Sequence, residues 1–217
     1  MSDNQTTQLS SNEIEQLCLK AARGAGLSWG LAEEAGMAAA WLALRGVDGP
    51  SLLCDRLQLG KLAGPQIPWN SQKQLQCPIA LGAALSDHAG LGQTLMQDEP
   101  IDIGFVASPA LLLPFIGSVA CIRGHAIKMN ASVLSVVISI AGEVSADLGD
   151  EDMASRFVTR SKVLISKVEP SKMAAPRLLC RIPVDTIKAL GGFAMRTTVQ
   201  ASDVSRAGAG ASGGDAD

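Results

Sequence analysis

The chain has 217 residues, 47% of them hydrophobic, with 18 Lys and Arg against 21 Asp and Glu, enough apolar content for one good core. Its basic residues are scattered rather than striped. With no Tyr, four Phe and three Trp, it lacks the stacking platforms of a single-strand binder, so nucleic acid is not an expected partner.

In chain order, the first clear signal is a capping box, Ser10 followed by Glu13, ahead of a helical apolar repeat at Ile14, Leu17, Cys18, Ala21 and Ala25. Lys20 and Arg23 suit the negative end of that helix, and Gly24 and Gly26 are expected to stop it. Ser28 then caps a second helix with apolar positions Leu31, Ala35, Ala38, Ala39 and Leu42, which Gly46, Asp48, Gly49 and Pro50 are expected to end. The pattern predicts a packed helical hairpin, with Trp29, Trp41 and Leu44 presented on its outer side.

Residues Ile103 to Ile122 form a twenty-residue stretch without formal charge. Pro109, Pro114, Gly104 and Gly117 interrupt it, which argues against a membrane span and for buried strands and turns. Downstream the period becomes two. Leu134, Val136, Ile138 and Ile140 share one face of a predicted central strand, while Val133, Ser135, Val137, Ser139 and Ala141 share the other. Further strands are expected around Val163 and Ile165 and around Leu178, Cys180 and Ile182, followed by a short helix over Pro183 to Phe193. The predicted class is α+β: an N-terminal helical hairpin, a mainly antiparallel sheet and a short C-terminal helix. Polar residues 1–10 and the Ala/Gly-rich tail 207–217 are expected to be disordered around one domain at 11–206.

Chemical candidates are sparse. Cys18, Cys54, Cys77, Cys121 and Cys180 are odd in number and widely spaced, which indicates neither a disulfide framework nor a CxxC metal site and predicts a reducing, cytoplasmic setting. Cys77 with Asp87 and His88 allows a nucleophilic set to be imagined, although a Cys before Pro reads first as a small buried hydrophobe. His88 and His125 have no carboxylate spacing that would make a metal site. Arg23 with Gly24 and Gly26 has the makings of an anion-binding turn, but helix termination explains the same glycines. The segment RTTVQASDVSR is the most distinctive polar cluster: Arg196, Ser202, Ser205 and Arg206 are the candidate ligand-binding residues, since paired guanidiniums and hydroxyls suit a carboxylate or phosphate.

The run SNEIEQLCLKAARGAGLSWGLAEEAG, the CPIALG at 77–82 and the ending ASDVSRAGAGA resemble a bacterial family catalogued as domain of unknown function 3726, a resemblance that implies no activity. GLSWGLAEEAGMAAAWLALRGVDG is also similar to the N-terminal helical segment of the malate, lactate and ureidoglycolate dehydrogenase family, in which the helix ends in Arg-Gly-x-Asp-Ser-His-Gly. Arg45, Gly46 and Asp48 match that pattern. Gly49 and Pro50 replace its serine and catalytic histidine, so the resemblance does not imply inherited dehydrogenase activity.

No cofactor is expected. The sequence favours a non-catalytic interaction or regulatory protein associated with metabolism, partnered by another protein. The alternative is an enzyme acting on a small organic anion, such as an organic acid or an amino-acid derivative.

Overall fold

In the computed structural model, Ser10 and Glu13 close the expected capping box. The Glu13 carboxylate accepts from Ser10 N at 2.8 Å, and Ser10 Oγ accepts from Glu13 N at 3.3 Å. Helix α1 follows over Ser11–Gly24 and buries Ile14, Cys18, Ala21 and Ala22. The described residues are 5–65, 74–90, 100–131, 134–146, 161–169 and 181–197.

Gly24, the last residue of α1, and Gly26, just past it, do different work. Gly26, at φ +95°, takes the left-handed conformation that reverses the chain, whereas Gly24 provides close approach: a Cβ there would lie 1.8 Å from the Phe193 carbonyl oxygen. Helix α2, Trp29–Ala43, starts at Ser28 and packs back on α1. Its alanines bury most of its circumference, because α1, α3, α4 and α5 all touch it.

Asp48, Gly49 and Pro50 do more than end a helix. Asp48 is the N-cap of helix α3, Gly49–Gln58: its Oδ1 accepts from Ser51 N at 3.0 Å, and Pro50 sits in the first turn, where its missing N–H costs nothing. Helix α4, Pro78–Ala89, shares only the proline in its first turn: Cys77 stands at the N-cap without a side-chain cap bond.

The charge-free stretch resolves differently from the expected strands and turns. It holds most of strand β2 (Ile101–Val106), a 3-10 turn over Pro109–Leu112 and nearly all of helix α5 (Leu113–Arg123). Both prolines lie in first turns, so the backbone tolerates them. Gly124, at φ +69°, ends α5 and leads into strand β3, Ala126–Ala131.

Strands β4 (Leu134–Ile138), β5 (Val144–Ala146) and β6 (Ser161–Val168) complete a five-stranded antiparallel sheet of order β2-β6-β3-β4-β5. The centre is therefore β3, and β4 is second from an edge. Register places Met129 beside Val136 and Ile165, a row buried against the helices, while Lys128, Val137 and Ser166 share the other, partly exposed face. Ile140 falls beyond β4 in the turn to β5 and is exposed.

The two-residue strands β1 (Thr6–Thr7) and β7 (Ile182–Pro183) pair with each other, so part of the polar N-terminal segment enters the fold. The expected strand through Leu178 and Cys180 lies outside the described residues apart from Ile182. Helix α6, Val184–Met195, runs two residues beyond the expected Phe193 and packs on α1 and α3, where Ser51 Oγ and Thr186 Oγ1 lie 2.8 Å apart. No helix among the described residues is long and apolar enough to cross a membrane.

Candidate functional site

The outer face of α2 carries Met37, Trp41 and Leu44 at i, i+4 and i+7, one stripe on the helix surface. The alanines of the opposite faces consume the available packing partners, so this stripe stays at the surface: Met37 is 47% exposed, Leu44 is exposed and Trp41 is half-buried. Alongside lies a groove of about 340 Å³, walled by Glu34, Met37 and Trp41 of α2, by Pro114, Ser118 and Cys121 of α5, and by Ile140 to Gly142 of the β4–β5 turn. Ile140, 54% exposed, lines the same groove as Met37 and Trp41.

Arg45 fixes one end of the groove. Its guanidinium stacks 3.5 Å from the centre of the Trp41 ring, while Nη1 donates to the Trp41 carbonyl at 3.1 Å and Nη2 donates to the Gly142 carbonyl at 3.2 Å. Trp41 and the β4–β5 turn are thereby tied to one side chain, and the apolar wall is held in shape before anything binds.

The other end is acidic. Burial raises the Glu34 carboxyl above its ordinary range, and the negative charges of Asp87 and Glu33 add to that rise. A raised carboxylate penalises the folded state at neutral pH. The penalty disappears as pH falls through the raised value towards the ordinary glutamate range, because the folded protein then takes up the proton first. Glu34→Gln is therefore expected to melt at a slightly higher temperature than the wild type at pH 7, with the difference closing near pH 4. A variant less stable at pH 7 would show that the carboxylate is favourably paired.

The remaining candidates do not converge. Cys77 and His88 stand at opposite ends of α4, about 16 Å apart at the helical rise, so no Cys-His pair forms. Cys77 instead accepts from Arg56: Nε and Nη2 lie 3.3 and 3.1 Å from its Sγ, and Nη1 donates to the Gly60 carbonyl at 3.0 Å. Burial pushes the Cys18 and Cys54 thiols up, the opposite of what a nucleophile needs. At the glycine turn, Arg23 Nη1 donates to the Leu27 carbonyl and the guanidinium lies 4.6 Å over the Trp29 ring, so the side chain is engaged with the turn itself.

Arg196 caps the end of α6 and lies 4.6 Å over the Phe193 ring, while Ser202, Ser205 and Arg206 fall outside the described residues. Among the described residues there is no group of three or more His, Cys, Asp or Glu placed to hold a metal ion. Among the described residues, Arg123 and His125, at the α5–β3 corner, have buried nitrogens without hydrogen-bond partners, a feature no sequence pattern signalled.

No curated protein and no solved structure matches the chain. The model of the family described as "Protein of unknown function (DUF3726)" matches residues 9–80, the third of the chain that carries the hairpin, α3 and the start of α4, and over that span it supports the DUF3726 assignment.

Proposed function

We propose that this is a non-catalytic interaction or regulatory protein whose α2–α5 groove receives an apolar segment of a partner protein. The observation that supports this reading is the exposure of Met37 and Ile140 in one groove, on its α2 and β4–β5 walls, whose Trp41 is held in place by Arg45. Large apolar side chains left at the surface beside a preformed concavity suit a protein partner better than a small polar ligand.

Purification at native level, with identification of both bound proteins and bound metabolites, tests the proposal. A partner protein should be recovered with the wild type. Met37→Glu and Ile140→Glu should reduce its recovery about tenfold, since each buries a charge in an apolar contact, without lowering the melting temperature. Undiminished recovery would remove the groove from the interaction. A co-purified organic anion with no protein would favour the small-molecule enzyme instead.

The dehydrogenase likeness enters this reading only as packing. Its matching residues have structural tasks: Arg45 holds Trp41 and Gly142, Gly46 has φ +76°, and Asp48 caps α3. Titration with a reduced nicotinamide dinucleotide is expected to give no saturable heat, and a saturable isotherm would reverse that expectation.

A further inference from the structure

The groove is electrically lopsided. Glu34 lines one end, with Asp87 and Glu33 near enough to act on it. Among the described residues, neither Glu34 nor Asp87 has an ion-pair partner. At the far end, Arg45 has its charge set against the Trp41 ring and two backbone carbonyls, so it adds little demand for an acid. Between the ends, Met37, Trp41 and Ile140 are apolar. Glu34 and Trp41 are two helical turns apart along α2, about 10 Å, and the walls are two helices and a turn rather than a free strand edge. That shape suits a helix laid on its apolar face, not an added strand.

We propose that the groove binds an amphipathic helix of a partner protein, one with apolar residues at i, i+4 and i+7 and a Lys or Arg at the end that lies over Glu34. This rests on the interaction reading above and adds the partner's chemistry. A cation at that end answers the repulsion among Glu34, Asp87 and Glu33, whereas an acidic residue meets like charge and is rejected, so one feature supplies both attraction and discrimination.

The test is selection of a displayed library of randomised helical peptides on the full-length protein, followed by titration of the recovered peptides. Recovered peptides should share the apolar spacing, carry a basic residue at one end and bind Met37→Glu about tenfold more weakly than the wild type. Exchanging their basic residue for Glu should weaken binding to the wild type about tenfold and to Glu34→Gln much less.

Peptides with the apolar spacing but no basic bias, or an exchange penalty equal on wild type and Glu34→Gln, would overturn the charged-helix inference while leaving the groove reading intact. Recovery of no peptide sensitive to Met37→Glu would overturn both. Ile140→Ser, in an exposed turn, gives a second groove variant should Met37→Glu unfold.

Discussion

Gly49→Ala is expected to destabilise the protein by about 3 kcal/mol, at the upper end of overpacking costs. A Cβ at Gly49 would lie 2.3 Å from the Ala39 carbonyl oxygen and 2.9 Å from its Cα, and both are backbone atoms of α2 that no rotamer change can move. Nor can α2 retreat, since on α1 its own Gly36 is so close that a Cβ would come within 2.7 Å of the Glu15 carbonyl oxygen. For a chain of this size the loss corresponds to roughly 6 to 12 °C in melting temperature. Gly30→Ala is the control: nothing lies within 4 Å of a Cβ there, and the gain in helix propensity should stabilise by about 0.5 to 1 kcal/mol. Calorimetric melts of the two variants decide the matter. A Gly49→Ala protein that melts with the wild type would mean that α2 and α3 are not held in this contact.

Cys77→Ala is expected to cost about 2 to 3 kcal/mol, far more than deletion of one sulfur atom from a surface would. Arg56 is 4% exposed. Two of its donors end on the Cys77 sulfur, so the substitution leaves the edge of a buried cation unpaired. Serine at 77 keeps an acceptor and should recover part of the loss. The diagnostic comparison is made in an Arg56→Met background, where the charge is gone and Cys77→Ala becomes a small packing change of about 1 kcal/mol or less. Denaturant titration of the four proteins gives the coupling. Equal costs of Cys77→Ala in both backgrounds would reduce the Arg56–Cys77 contact to shape alone.

How legible these features were depended on local contrast. The α1–α2 hairpin could be read because Ser10, Glu13 and Ser28 mark its starts and a helical period runs between polar positions. Helix α3 was hidden because Asp-Gly-Pro is equally a stop and a start: the N-cap and first-turn preferences of Asp48 and Pro50 coincide with the breaker signals that end α2. Helix α5 was hidden for another reason. Phe115, Ile116, Gly117, Val119 and Ala120 are all buried, and a helix surrounded by core shows no apolar and polar faces to alternate. The sheet's two faces were clear in β4, but Ile140, in step with Val136 and Ile138, lies past the strand's end, where a turn has taken over.

The groove itself was the least legible. Its walls come from residues 34–41, 114–121 and 140–142, which only the tertiary fold brings together. Trp41 was the one groove residue that the hairpin pattern marked as outward-facing. Its partnership with Arg45 is an i, i+4 pair and was available to inspection, whereas the bond from Arg45 to Gly142 spans 97 positions and was not.

The pairing of Thr6 and Thr7 with Ile182 and Pro183 bears on how the protein is made. Translation delivers the α1–α2 hairpin early, but the strand that pairs with its leading segment, and the helix that closes over Gly24, emerge some 175 residues later. At ordinary elongation rates of 5 to 20 residues per second that is a wait of roughly 9 to 35 s. Throughout it, the face of α1 destined for α6 stands uncovered on the nascent chain, and a ribosome-bound intermediate with the hairpin formed and that face accessible to a chaperone is the expected consequence.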